Sequence, residues 1–241
     1  MMLKYKDCAV PGYEREPEEV IKNDGGKLCG EIMVGLIEPG PLEASKKVRA
    51  SEVLTQAFHD DPMWTYIFPD SNERARSLHN LWQALVGYCL VYGEVTTTPQ
   101  VKGVACWLSP GNTEQTLWRS LRTGLGFVRV VLKFEADSRG RFLDVMNFAD
   151  AEHKRLMKTP HWYLWALGVE PDSQGQGVGG RLIQPVLASA AAEGLPCYLE
   201  TQTEGNVAFY RKRGFEVLSE AEMPGTRLKV WMMVKEPPRR T

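Results

Sequence analysis

The run Val169 to Arg181 reads V-E-P-D-S-Q-G-Q-G-V-G-G-R and follows an apolar stretch from His161 to Gly168. Few folds accommodate it. A strand must end, a turn lined by Gly175, Gly177, Gly179 and Gly180 must follow, and a helix must begin. Gln174, Gly177 and Gly179 stand in a Q-x-x-G-x-G pattern, so several main-chain N–H groups have no side chain in front of them. At a helix N-terminus such amides, together with the helix dipole, favour an anion of the pyrophosphate kind. Each charge-assisted hydrogen bond contributes about 1.5 to 3 kcal/mol.

Other readings of the loop are weighed by chemistry and by position. An ordinary β-to-α turn explains the glycines through tight φ angles and close helix packing. A nucleoside-triphosphate loop ends in Lys and then Ser or Thr, whereas Gly180 is followed by Arg181 and Leu182, so that reading fails. A dinucleotide fingerprint is matched by Gly175, Gly177 and Gly180, with Glu200 about 20 residues on. That motif, however, turns directly out of the first strand of a long alternating unit. Here Glu170 to Gln174 intervene, and the roughly 60 residues that remain cannot complete such a fold.

A second pattern, G-N-V-A-F-Y-R-K-R-G-F, places Asn206 and Tyr210 four apart on one face of a short helix ending at Gly214. Taken alone, Tyr210 reads as an amphipathic core tyrosine and Asn206 as an N-cap or early-turn residue. Taken together, V-x-P-x-x-Q-x-x-G-x-G and N-x-x-F-Y-x-x-x-G-F resemble the coenzyme loop and terminal helix of the GNAT N-acetyltransferase superfamily. With L-E-T at Leu199 to Thr201, the likeness over 161–215 is to puromycin N-acetyltransferase-like enzymes. It extends more loosely to Ala57–Asp70 and Val104–Pro110.

The resemblance implies an α/β (α+β) domain with a mixed, mostly antiparallel central sheet flanked by helices. It implies acetyl-CoA (coenzyme A) as co-substrate and a primary amine of a small molecule, antibiotic-like amines included, as acceptor. It assigns coenzyme contacts to Leu167, Gly168, Val169, Gln174, Gly175, Gln176, Gly177, Val178, Gly179, Gly180, Arg181, Asn206 and Tyr210. The Leu167 N–H would face the reacting carbonyl oxygen, and Tyr210 would act as general acid. Many members carry a Glu six residues before the valine that ends the loop strand; this chain has Tyr163 there. Glu200 is the candidate base, acting through a water, against the plainer reading of a strand-end salt bridge or cap. A base matters because an alkyl ammonium with a pKa near 10.4 is neutral in roughly 0.04 per cent of molecules at pH 7. A non-catalytic acyl-CoA-binding module and a nicotinamide-dependent oxidoreductase are the competing functional classes.

Composition narrows the partners. The chain has 241 residues, 43% of them hydrophobic, and a net charge of −1. It suits one folded domain and offers no field to collect nucleic acid or an anionic membrane. Leu81 to Tyr92 is too short to cross a bilayer, and the N-terminus carries Lys4, Lys6 and Asp7 without a secretory apolar core. A cytoplasmic protein is expected, and a homodimer stays open. Cys8, Cys29, Cys89, Cys106 and Cys197 contain no C-x-x-C, and His59, His79, His153 and His161 lack metal-ligand spacing; neither a disulfide framework nor a metal site is expected.

Residues 1–30 read as a flexible extension, 31–236 as the domain and 237–241 as a tail. Strands are expected at Glu31–Ile37, Gly93–Thr98, Val101–Leu108, His161–Val169, Pro196–Gln202, Phe215–Ser219 and Thr226–Lys235. Helices are expected at Leu42–Phe58, Arg74–Leu90, Thr113–Phe134, Arg141–Met157, Gly177–Glu193 and Asn206–Arg213. His59, Asp60 and Asp61 read as a turn. Arg211, Lys212 and Arg213 read as a solvated helix face. Trp64, Tyr66, Phe68, Trp107, Trp162 and Trp165 are either core or the walls of an acceptor pocket.

Overall fold

Among the described residues, seven strands form one sheet in the order β1-β2-β3-β4-β5-β7-β6. Along the chain run β1 (Gly40–Pro41), α1 (Lys47–Phe58), α2 (Pro62–Ile67), α3 (Ser71–Tyr92), β2 (Gly93–Thr97), β3 (Gly103–Leu108), α4 (Gly126–Leu132) and α5 (Ala136–Leu156). β4 (Trp162–Val169), α6 (Val178–Glu193), β5 (Cys197–Thr201), α7 (Glu204–Arg211), β6 (Glu216–Glu222) and β7 (Lys229–Lys235) complete it. The computed structural model describes residues 38–114, 119, 122–123 and 125–238. The expected extension 1–30 and the strand expected at Glu31–Ile37 lie outside the described residues.

All paired neighbours are antiparallel except β4 and β5. A parallel pair needs a crossover, which the glycine loop and α6 supply. Pairing across it is confined to Trp162 with Cys197 and Tyr163 with Tyr198. On its other edge β4 pairs with β3 from Gly103–Val169 to Leu108–Tyr163, and β5 pairs with β7 along its whole length. The β3 register also shows a bulge: Cys106 faces Ala166 and Trp107 faces Leu164, so Trp165 is the extra residue. A bulge bends its strand and raises the local twist. The seam between β4 and β5 is therefore closed at its start and unpaired beyond it.

The bulge also resets which side chains share a face. Leu164 and Leu167 pack with Leu182, Ile183 and Tyr210 on the α6 and α7 face, while Trp165 and Ala166 belong to the opposite core with Phe58, Trp64 and Trp82. Trp64, Phe68 and Trp107 are fully buried, and Trp64 stacks on Phe68 at 6.1 Å between centroids. These three are core rather than pocket wall.

Several elements differ from their expected bounds, and the following do so for local reasons. α2 was not anticipated: Asp61 caps it by accepting the Met63 N–H at 3.0 Å, with Pro62 in the first helical position. The helix expected over Thr113–Phe134 is not one continuous run, because Leu125 takes φ 55° immediately before α4. Residues 115–118, 120–121 and 124 lie outside the described residues. α7 starts at Glu204, because Thr203 supplies its cap.

Gly168 is set by packing. A Cβ there would lie 2.9 Å from Leu54 Cδ2 and 3.0 Å from Ala57 Cβ on α1. Gly168→Ala is expected to lower stability by about 1 to 3 kcal/mol, read as a lower urea midpoint at unchanged slope.

Candidate active site

The loop after β4 is tied back onto the strand it leaves. Gln174 Nε2 donates to the Val169 carbonyl at 3.0 Å, and Gln176 Nε2 donates to the Asp172 carbonyl at 3.1 Å. Gly175 and Gly177 take φ 78° and 77°, a region that favours glycine. Gly177 is the N-cap of α6 and offers no side-chain acceptor. The first amides of the helix, those of Val178, Gly179 and Gly180, thus have neither a helical acceptor nor a cap. By contrast, Asp61, Asp70 and Thr203 cap α2, α3 and α7. Arg181 is exposed, and Leu167 and Val169 bury their side chains in the core, so only their main chains could serve a ligand.

The solvated face expected at 211–213 is corrected at Arg213. Its Nη1 donates to the Phe209 carbonyl at 2.6 Å, and its guanidinium lies 3.5 Å from the Phe209 ring centroid. A Cβ on Gly180 would meet an Arg213 nitrogen at 2.4 Å. A cation therefore rests against the first turn of α6. The second glycine of the Gly179–Gly180 pair was the signal in the sequence for this close approach.

Of the two plain readings of Asn206, N-cap or early-turn residue, the second is the one found. Thr203 Oγ1 accepts its N–H at 3.2 Å, so the Asn206 side chain is released from capping. Asn206 Oδ1 and Nδ2 and the Tyr210 hydroxyl, one turn further on, are buried with no hydrogen-bond partner among the described residues; so is Thr201 Oγ1 at the end of β5. Each such atom costs about 1 to 3 kcal/mol when left unsatisfied, so this face suits a polar ligand in the seam. Burial pushes the Tyr210 phenol well above its ordinary range, and Arg213 opposes that rise.

Glu200 lies on the other face of the sheet. Tyr163 donates to its Oε2 at 2.7 Å and Tyr198 to its Oε1 at 3.0 Å. Burial raises the Glu200 pKa, and the two phenol hydrogen bonds work against that rise. Tyr163 thus helps to hold the carboxylate one strand over. The two candidate catalytic side chains, Glu200 and Tyr210, approach the seam from opposite faces.

Behind Glu200 sits a histidine pair whose contact the sequence spacing did not predict. His161 Nδ1 donates to the Thr159 carbonyl at 2.7 Å, which leaves its Nε2 to accept from His153 Nε2 at 2.7 Å. His153 stacks on Tyr198 at 4.8 Å. Burial and then the neighbouring His161 hold His153 down at about 4.

Residues 51–215 match the acetyltransferase (GNAT) family, and the chain belongs to it. Enzymes of this family use acetyl-CoA as co-substrate, and this chain is an acetyl-CoA-dependent N-acetyltransferase. An uncharacterised N-acetyltransferase of Schizosaccharomyces pombe is 29% identical over 206 residues, spanning 81% of this chain and 82% of the relative. A histone acetyltransferase HPA2-related acetyltransferase of Corynebacterium glutamicum shares the fold at a TM-score of 0.59 and 20% identity, over 84% of this chain and 97% of that one. Arylalkylamine N-acetyltransferase 2 of Aedes aegypti does so at 0.54 and 14%, over 82% and 97%. Among the described residues no helix is long and apolar enough to cross a membrane, and no group of three or more His, Cys, Asp or Glu side chains is arranged to hold a metal. Cys89, Cys106 and Cys197 are buried and free.

The histidine pair makes stability depend on pH. A base whose folded pKa is depressed contributes fully above its unfolded value near 6.5, and that contribution is lost as pH falls toward about 4. His153→Phe keeps the ring on Tyr198 but has no proton to gain. Its Tm is expected to fall less between pH 7 and pH 4.5 than that of the parent chain.

Proposed function

We propose that the chain moves the acetyl group of acetyl-CoA directly onto the primary amine of a small molecule, antibiotic-like amines being one acceptor class. The observation that carries this reading is the seam between β4 and β5, which pairs only at Trp162–Cys197 and Tyr163–Tyr198. The uncapped N-terminus of α6 stands at one end of it, and chemically opposite groups stand on its two faces. The amides around Gly175 to Gly180 receive the pyrophosphate, with Gln174 and Gln176 stiffening the loop and Arg181 and Arg213 adding charge at its rim. The unpaired edge of β4 from Leu167 to Val169 and the Asn206 amide receive the arm that carries the thioester. As substrate, acetyl-CoA supplies an acetyl group on a sulfur leaving group.

The residues divide the proton work. Glu200, held by two phenols, takes a proton from the amine directly or through one water as the C–N bond forms. The Leu167 N–H faces the carbonyl oxygen as charge grows there. On the other face, Tyr210 directs its hydroxyl toward the sulfur as the C–S bond breaks. A reference thiol has a pKa near 8.5, and burial makes Tyr210 a weaker acid than an ordinary phenol near 10. Its contribution is accordingly a hydrogen bond that strengthens as the thiolate forms, with proton delivery completing the step. Net charge near zero supports a protein without nucleic-acid or membrane partners. A cytoplasmic location belongs to the same proposal.

Tyr210→Phe is expected to lower kcat by about 10- to 1000-fold with little change in coenzyme affinity; unchanged turnover would remove Tyr210 from the chemistry. Gly177→Val, which forces a side chain onto φ 77°, should weaken coenzyme A binding about tenfold, measured by calorimetry. Release of free thiol in the presence of an amine panel separates an enzyme from a binding module. Thermal stabilisation by coenzyme A and not by NAD separates both from an oxidoreductase.

A further inference from the structure

On the face of the sheet away from α6 and α7, α2 and α5 cover the far part of the seam and leave a cavity of about 50 Å³. Its walls are largely apolar, with Met63 from α2, Met146 from α5, Trp165 at the bulge and Val230 from β7. Glu200, Gln202 and Tyr163 are its polar side chains, and the Tyr163 hydroxyl is already engaged with Glu200. Gln202 Oε1 is buried with no hydrogen-bond partner among the described residues. A carboxylate and an amide oxygen therefore present acceptors side by side, and the complementary ligand group is rich in N–H. The cavity shares Met146, Ala149, Tyr163 and Trp165 with a wider cleft of about 260 Å³ that also touches Asp150 and His153.

We propose that this cavity is the acceptor site, and that it takes a primary amine at the end of an unbranched apolar arm. Glu200 and Gln202 receive its N–H groups, and the remainder of the molecule stays in the wider cleft. The inference rests on the acetyl-transfer reading and narrows its acceptor. The inner cavity is about a fifth of the size of the cleft it opens from, so it suits a slim chain better than one branched beside the nitrogen. A methyl on the carbon bearing the amine would press on Met146 or Trp165. Hydroxyls or a second charge on the arm would be stripped of water against Met63 and Val230 with no partner to compensate. Amino sugars and peptide N-termini are thereby disfavoured, and chain-terminal alkylamines and arylalkylamines are favoured.

The test uses the purified chain with acetyl-CoA, following thiol release with n-hexylamine, its isomer sec-hexylamine and an alanyl peptide. The expected result is a kcat/KM for n-hexylamine at least about tenfold above the other two. Met146→Ala should bring the two hexylamines to within about threefold by admitting the branch. Gln202→Leu should lower kcat/KM for n-hexylamine about tenfold while stabilisation by coenzyme A is retained. Equal use of the two isomers by the parent chain, or an unchanged ratio in Met146→Ala, overturns the slim-arm site while leaving acetyl transfer standing. Undiminished turnover in Gln202→Leu overturns its role as acceptor of the N–H. If no amine releases thiol although coenzyme A still stabilises the chain, the acetyl-transfer reading falls, and this inference falls with it.

Discussion

The arrangement depends on two strands that begin as partners and then stop pairing. β4 is held along its other edge by β3, and β5 is held along its other edge by β7. The gap between them is thus bordered by strands that are each anchored elsewhere. A frayed sheet edge would leave mobile backbone, whereas here the unpaired groups are fixed in place before any ligand arrives. The bulge at Trp165 is the local cause: one extra residue bends β4 and turns consecutive side chains, Trp165 and Ala166, to the same core.

Electrostatics on the two sides of that gap follow from partners rather than from depth. Burial raises the pKa of both Glu200 and Tyr210. Glu200 receives two phenol hydrogen bonds that oppose the rise, which favours a carboxylate ready to accept. The Tyr210 hydroxyl has no partner among the described residues, so its proton is uncommitted. Similar desolvation therefore leaves one group suited to take a proton and the other suited to offer one. The difference comes from Tyr163 and Tyr198, whose hydroxyls both donate to Glu200.

Much of this was legible in the sequence wherever a residue type has a single physical use. Gly175 and Gly177 marked positive φ, and the strand, loop and helix from His161 to Glu193 lie within a residue of their expected bounds. What was hidden depended on contacts distant in sequence. The bulge at Trp165 has no local signature in an all-apolar strand. Arg213 looked like one of three solvated cations until the fold laid it over Phe209 and Gly180. Asn206 resembled a cap because Thr203, three residues earlier, supplies the same chemistry. The bond between His153 and His161 joins the end of a helix to the start of a strand and follows no ligand-like spacing. α2 was missed for a different reason, since Asp61–Pro62 is a sound helix start that was read as a stop for the helix before it.

The sheet that separates the two cores also separates two kinds of evolutionary freedom. Residues that would grip the nucleotide thiol come from the loop, α6 and α7, whereas Met63 and Met146 stand on helices that pack against the opposite core. Substitutions on α2 and α5 can therefore retune which amine enters while the donor half is inherited intact. One scaffold can in this way diversify its clientele without rebuilding its chemistry.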